Sequence, residues 1–140
     1  MKKILILNSN YYKDISKNLL LNAKKKLIQS KFSVNVFDVP GVYEIPIAIR
    51  QHIYKYDGFV ALGCVIKGET PHFNFICSSV FTSILDLSVK YNKPIGNGII
   101  TALNKNQAKK RSSINSKKTN KGSEASNAVI MILKNGPKKK

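Results

Sequence analysis

Short apolar runs alternate with stretches of helical periodicity along almost the whole of this chain. Four runs have the composition of strands, at residues 4–7, 32–39, 59–66 and 95–100. Helices are predicted at residues 14–29, 44–54, 70–91, 104–112 and 121–134. Because helices separate the strands, the strands are expected to lie parallel, in a sheet that helices cover on both faces. The sequence therefore predicts an α/β fold.

The chain has the size and composition of one domain, residues 1–140, with 43% hydrophobic residues. The lysines at 138–140 are expected to form a disordered basic tail. No stretch approaches the roughly 18 consecutive apolar residues of a membrane helix. The short opening run is typical of a strand and not of a signal peptide. We therefore expect a cytoplasmic protein that makes no membrane contact.

The charge is strongly positive, because 24 Lys and Arg stand against seven acids, which gives a formal net charge of +17. Only two of these bases are arginines, Arg50 and Arg111, although specific nucleic-acid contacts favour the arginine fork. The lysines are scattered through every segment and form no focused patch. We therefore expect no specific nucleic-acid partner, whereas small anionic substrates would be attracted by this field.

The two cysteines, Cys64 and Cys77, lie in a predicted strand and a predicted helix. Neither has metal-ligand companions at a useful spacing, so no metal site is predicted. Both are expected to be buried free thiols in a reducing compartment.

Residues 63–75 read as a strand, a glycine turn and the start of a helix. Gly68 is expected to let the backbone turn sharply, Thr70 to cap the helix and Pro71 to occupy its first turn. The free N–H groups of such a helix start can bind an anion. His72 would stand beside that anion as a proton carrier, because imidazole titrates near neutral pH. The alternative is that His72 only packs or caps there.

Several polar or aromatic residues are expected to meet at the carboxyl edge of the sheet, where α/β proteins bind ligands. Tyr11 follows the first strand, residues 42–44 the second, Glu69, Thr70 and His72 the third, and residues 97–101 end the fourth. Taken singly, Tyr11 is as well explained as a packed aromatic, and Glu44 as an acid at a helix start. Arg111 lies well along its helix and would serve either as a solvated charge or in a neighbouring subunit's site.

Four separated motifs resemble the 6,7-dimethyl-8-ribityllumazine synthase family. They are VPGVYEIP at 39–46, VIKGETPHF at 65–73, GIIT at 98–101 with Gln107, Ala108 and Arg111, and NKGSEA at 120–125. Their order and spacing match over residues 3–135. The resemblance implies a three-layer flavodoxin-like fold with a four-stranded parallel sheet in the order 2-1-3-4.

The resemblance also implies a reaction without metal or cofactor. In this family 5-amino-6-(D-ribitylamino)uracil condenses with 3,4-dihydroxy-2-butanone 4-phosphate, releasing phosphate and water, in the penultimate step of riboflavin synthesis. By its match to the family motif, His72 would shuttle protons. The pyrimidine substrate would contact Tyr11, Val42, Tyr43, Glu44, Cys64, Val65, Ile66, Asn97 and Lys121. The sugar phosphate would contact Gly68, Glu69, Thr70 and, from an adjacent subunit, Arg111.

The chain departs from the family pattern at several positions. Glu69 is an acid beside the expected phosphate, Asn97 stands where some members carry Phe, and Leu103 replaces a frequent acid. The segment 112–120 is about two residues longer than in members with a glycine-rich turn, and it lacks glycine. Since no segment precedes the first strand, we expect a pentamer or decamer with sites between subunits, although a sixty-subunit shell is possible.

Two other classes of protein stay open from the sequence. A basic α/β domain of this kind could bind nucleic acid, which would not depend on His72. A flavodoxin-like sheet could also bind a flavin or another aromatic phosphate without converting it.

Overall fold

The computed structural model describes residues 1–115 and 120–137. The strands are β1 (Lys3–Ser9), β2 (Ser33–Val39), β3 (Gly58–Ile66) and β4 (Ile95–Ala102). The helices are α1 (Lys13–Gln29), α2 (Ile45–Gln51), α3 (His72–Tyr91), α4 (Lys105–Arg111) and α5 (Lys121–Asn135), and a 3-10 turn at Val42–Glu44 precedes α2. All strand pairs are parallel and their order is β2-β1-β3-β4. The predicted α/β fold and strand order are confirmed.

The sheet is buried at its centre, because β1 and β3 each have a strand on both sides. Residues of β3 alternate between the two faces. Val60, Leu62 and Cys64 pack in one core, whereas Phe59 and Ala61 pack in the other. Helices α1, α4 and α5 cover the side of the sheet that bears Val60, Leu62 and Cys64, which we call the closed face. Helices α2 and α3 cover the side that bears Phe59 and Ala61, which we call the open face.

Helix α5 lies very close to both β4 and α1. A Cβ placed on Gly96 would collide with the main-chain oxygen of Ala125, and one on Gly122 would collide with that of Leu19. Only glycine fits at these two contacts, so the closed face is packed backbone against backbone.

The start of α3 differs from the prediction. Pro71, and not Thr70, occupies the N-cap position, and the Pro71 side chain makes no capping hydrogen bond. The Thr70 hydroxyl still accepts a hydrogen bond from the main-chain N–H of His72, at a long 3.4 Å. The predicted cap at Thr70 is therefore wrong by one residue, because proline lacks an N–H but is accepted at a helix start.

Other boundaries also shifted. The helix predicted at 44–54 is shorter, because Val42–Glu44 forms a 3-10 turn and α2 ends at Gln51. Strands β1 and β4 run two residues further than expected at their carboxyl ends, to Ser9 and Ala102. Asn104 and Asn120 cap α4 and α5 by accepting hydrogen bonds from Gln107 and Ser123. Residues 116–119 of the predicted loop and the predicted tail at 138–140 lie outside the described residues.

Helix α3 is apolar but little buried. By length and composition alone it could cross a membrane, since an 18-residue window has a mean hydropathy of 1.2, with 11% of that window buried. Val80 and Ile84 face the core, while Phe75, Leu85 and Val89 are exposed. Asp86 and Lys90 also lie within the helix. The helix thus packs against the sheet on one side and leaves a second apolar side uncovered.

Candidate active site

A cavity of about 310 Å³ opens at the carboxyl edge of the sheet. It lies where β1, β2 and β3 end and where α3 begins, as expected for a ligand site in this type of fold. Its lining residues are Ser9, Tyr11, Tyr12, Gly41, Val42, Tyr43, Cys64, Val65, Ile66, His72 and Ile76. This list includes residues predicted from three separate segments of the sequence.

The first wall comes from the turn between β1 and α1. Tyr11 is 73% exposed and meets Tyr12 edge to face, with ring centroids 4.9 Å apart. Burial is the main cause of a raised pKa at Tyr12, with smaller contributions from Cys64 and Tyr11. The Tyr12 phenol therefore remains neutral near pH 7, and both aromatic rings can act as flat, hydrogen-bonding surfaces.

The second wall comes from the 3-10 turn after β2. Val42 is buried, whereas Tyr43 is exposed and reaches into the cavity. Glu44 folds back towards Gly41, since a Cβ on Gly41 would lie 3.2 Å from its Oε1. Glu44 does not line this cavity; it lines an adjacent groove of about 320 Å³ between the turn and α3, which Tyr43 also lines. The Glu44 carboxylate therefore lies in the adjacent groove and not among the predicted residues that line the cavity.

The floor is formed by the end of β3. Burial, followed by the charge of Asp14, raises the pKa of the Cys64 thiol to about 11. This thiol is protonated near pH 7 and is a poor nucleophile. The expectation of a buried free thiol is confirmed for Cys64 but is wrong for Cys77, which is free but only half-buried.

His72 stands at the first position of α3, on the rim of the cavity. Its side chain is exposed, so solvent and substrate can both reach the imidazole. The main-chain N–H of the same residue is directed to Thr70. An accessible imidazole between an aromatic wall and a strand end can exchange protons with a bound molecule.

The predicted anion loop is open to solvent. Gly68, Glu69 and Thr70 are exposed and do not line the cavity. A Cβ on Gly68 would meet nothing within 4 Å, and no described glycine has a positive φ. The backbone at Gly68 therefore has a conformation that other residues can also adopt.

Three predicted residues lie away from the cavity. Asn97 was predicted to lie at the carboxyl end of the fourth strand. It is instead the third residue of β4, where it pairs with Ala61. Its Oδ1 accepts a hydrogen bond from the N–H of Ile99 at 3.1 Å. Arg111 ends α4 and is exposed, and Lys121 begins α5 with its Nζ 3.8 Å from Glu124 Oε2.

Sequence reasoning missed four lining residues: Ser9, Tyr12, Gly41 and Ile76. Ile76 lies one helical turn after His72, so the i, i+4 spacing could have revealed it. Ser9 was missed because the first strand was predicted to end at residue 7, whereas β1 reaches Ser9.

A larger cavity of about 400 Å³ lies on the closed side, where α1 and α5 meet. Polar and charged side chains dominate its lining, which includes Lys25, Lys26 and Glu124 but neither a histidine nor a strand end. We therefore place the candidate active site at the cavity of about 310 Å³ beside His72. Within residues 1–115 and 120–137, no cluster of three His, Cys, Asp or Glu side chains is arranged to hold a metal.

The doubly wound sheet and the cavity at its carboxyl edge define an α/β protein that binds a small molecule. The sequence profile of the 6,7-dimethyl-8-ribityllumazine synthase family matches residues 1–135. The chain belongs to this family, which comprises transferases of riboflavin biosynthesis. The resemblance seen in the sequence is thereby confirmed.

Curated relatives bear the same name. The 6,7-dimethyl-8-ribityllumazine synthase of Bartonella tribocorum is 40% identical over 133 residues, which cover 93% of this chain and 87% of the relative. That of Bartonella bacilliformis is 40% identical over 134 residues, with coverage of 93% and 87%. That of Vesicomyosocius okutanii is 39% identical over 142 residues, with coverage of 94% and 84%. The similarity thus extends over nearly the full length of each chain.

Proposed function

We propose that this chain condenses 5-amino-6-(D-ribitylamino)uracil with 3,4-dihydroxy-2-butanone 4-phosphate, giving 6,7-dimethyl-8-(D-ribityl)lumazine, phosphate and water. One observation carries the proposal. Residues that the family resemblance assigned to the substrates, far apart in the sequence, line a single cavity of the fold. They are Tyr11, Val42, Tyr43, Cys64, Val65, Ile66 and His72.

The aromatic and main-chain groups suit the pyrimidine substrate. Tyr11 presents an exposed ring that would stack on the pyrimidine. The main chain of Cys64, Val65 and Ile66, at the end of β3, would pair with the polar edge of that ring. The ribityl chain would lie along the turn at Val42–Glu44, where the Glu44 carboxylate in the adjacent groove would accept hydrogen bonds from its hydroxyl groups.

Imine formation, phosphate elimination and ring closure are mostly proton transfers between positioned reactants. His72 would carry those protons, because its imidazole is accessible at the rim of the cavity. The protonated Cys64 thiol is not suited to nucleophilic attack, so the proposed reaction proceeds without a covalent intermediate on this residue.

The phosphate group would bind at the loop of Gly68, Glu69 and Thr70, which is open to solvent in one subunit. Only main-chain groups of Glu69 would serve, since its carboxylate repels phosphate. A charge-assisted contact from Arg111 of an adjacent subunit would complete the site. The formal charge of +17 would draw both anionic substrate and product phosphate to the protein.

We further propose a homopentamer, alone or as a decamer, with one site at each subunit interface; a sixty-subunit shell is the larger alternative. The exposed apolar side chains of the open face, Ile47, Phe75, Leu85 and Val89, support association through this face. In a closed ring, Asn97, Arg111 and Lys121 of one subunit would lie near the next subunit's cavity. We expect the whole chain to act as a single domain in the cytoplasm.

The direct test mixes the purified protein with both substrates and records lumazine absorbance and phosphate release together. Equal amounts of the two products, formed faster than in the uncatalysed mixture, are expected. A folded protein that forms neither product would contradict the proposal. Salt-sensitive binding of DNA or RNA that is unaffected by His72→Ala would instead favour a nucleic-acid-binding protein.

A further inference from the structure

Ser9 has a buried hydroxyl without a hydrogen-bond partner. The residue is 3% exposed, and its Oγ has no partner among the residues that the structure describes. A serine hydroxyl can donate one hydrogen bond and accept two. Leaving such a group buried and unpaired destabilises the free protein, so an unpaired hydroxyl is a feature that needs a reason.

The position of this hydroxyl points to a ligand. Ser9 is the last residue of β1, and it lines the cavity described above. Its side chain lies on the open face, beside Gly63 of β3. A Cβ built on Gly63 would lie 3.1 Å from Ser9 Cβ and 3.6 Å from Ser9 Oγ. The same Cβ would lie 2.6 Å from Val42 Cγ1, so the glycine lets Val42 and Ser9 pack closely together at the floor of the cavity.

A second buried hydroxyl provides a comparison. Ser126 of α5 is 0% exposed, and its Oγ also lacks a partner among the described residues. It lies on the closed face and does not line the cavity. The two serines share the same unpaired chemistry, but only Ser9 is placed where a bound molecule can complete its hydrogen bonding.

We propose that the Ser9 hydroxyl is a substrate-binding group that makes a hydrogen bond to a polar atom of the ribitylaminouracil, in addition to the residues discussed above. This inference rests on the proposed function and deepens it. The substrate carries carbonyl, amino and hydroxyl groups, any of which can pair with a serine hydroxyl. The unpaired Oγ of the free protein becomes satisfied only in the complex, which favours binding of this substrate over an apolar analogue.

The test titrates the full-length protein with 5-amino-6-(D-ribitylamino)uracil alone and compares wild type with Ser9→Ala and Ser126→Ala. Ser9→Ala should weaken binding by about 2- to 10-fold, the range that a net hydrogen bond provides. Ser126→Ala should bind like wild type. Neither alanine should lower Tm, because each removes a hydroxyl that has no hydrogen-bond partner among the described residues.

A second variant guards against an indirect effect of alanine. Ser9→Cys keeps a side chain of similar shape with a weaker donor, so its loss of affinity should be smaller than that of Ser9→Ala. Binding of the butanone phosphate, measured as KM at saturating pyrimidine, should not change in either variant. Equal affinity of folded wild type and Ser9→Ala for the pyrimidine, as expected if Ser9 held only a water molecule, would overturn the inference.

Parallel turnover assays separate this inference from the proposed function. Wild-type turnover with unchanged pyrimidine binding in Ser9→Ala would overturn only the role of Ser9. Pyrimidine binding that Ser9→Ala weakens, without turnover by wild type, would support Ser9 and overturn the proposed reaction. Absence of both binding and turnover in wild type would overturn both.

Discussion

Within one subunit, the helices on the two faces of the sheet are buried to different extents. On the closed face, the 17-residue helix α1 buries Ile15, Ser16, Leu19, Ala23 and Leu27. On the open face, the 20-residue helix α3 buries only Val80 and Ile84. His72 belongs to the open face, and the cavity lies beside it at the carboxyl edge of the sheet, where residues of both faces line it. The comparison indicates that the closed face contributes most of the buried packing, whereas α3 on the open face leaves an apolar side exposed, through which we propose that subunits associate.

The largest effect should come from His72 on the open face. His72→Ala should lower turnover by about 10²- to 10⁴-fold, the usual value of a general acid–base group. The chain's second histidine, His52, offers a matched control. Its Nδ1 lies 2.8 Å from the carbonyl oxygen of Ala48 in α2, outside the cavity. Turnover of His52→Gln should stay close to wild type, and turnover of His72→Ala within about twofold of wild type would exclude the proton-carrier role.

Charges placed on the two faces should separate their roles in assembly. Leu85 of α3 is 65% exposed and Leu21 of α1 is 52% exposed in a single subunit. Leu85→Glu should dissociate the oligomer, because an unpaired carboxylate buried at an interface costs several kcal/mol. Leu21→Glu should leave the assembly intact. Sedimentation velocity measures both, and an unchanged mass for Leu85→Glu would remove this surface from the interface.

Truncating an apolar side chain should destabilise the subunit more on the closed face than on the open face. Leu19→Ala on the closed face should lower the free energy of unfolding by about 2–5 kcal/mol, because Leu19 is 0% exposed and its removal leaves a cavity. Leu85→Ala should change the stability of the dissociated subunit by no more than about 0.5 kcal/mol. Denaturant titration at low protein concentration measures both values. Equal losses would mean that α3 is as well packed as α1.

The smallest effect concerns the two thiols. Cys64 packs in the core of the closed face, and Cys77 is half-buried on α3. Burial raises both pKa values, that of Cys64 to about 11. Because only the thiolate reacts, alkylation of Cys64 should be slow at pH 8 and rise as the pH passes from 9 to 11. Labelling of the single variants Cys64→Ser and Cys77→Ser, as dissociated subunits, should show that Cys77 reacts first.

Much of the fold was predictable because it depends on local patterns. The alternation of apolar runs with helical periodicity was enough to predict the class, and the resemblance supplied the strand order. Helix starts were harder to predict, because Thr70 and Pro71 are both acceptable near an N-terminus, and tertiary contacts decide between them. The need for glycine at position 96 arises from the close approach of β4 to Ala125 of α5, which no local pattern encodes.

Cavity residues that follow a strand could be predicted from the sequence. Residues whose position depends on where a strand ends could not. Tyr11, Val42 and His72 line the cavity as expected. Asn97 was placed wrongly at a strand end because β4 continues to Ala102. Ser9 was missed for the same reason, since an asparagine and a serine gave no sign that β1 continued beyond Leu7. Contacts across a subunit boundary cannot be read from the periodicity of one chain.

The central claim is that each site combines the open face of one subunit with Arg111 of the next. Mixing His72→Ala and Arg111→Ala subunits, each expected to be nearly inactive alone, after dissociation and reassembly at equal amounts tests this claim most directly. Random assembly places an intact His72 beside an intact Arg111 in about a quarter of the sites, so about a quarter of wild-type turnover should return. Turnover no greater than the sum of the separate variants would contradict a site shared between subunits.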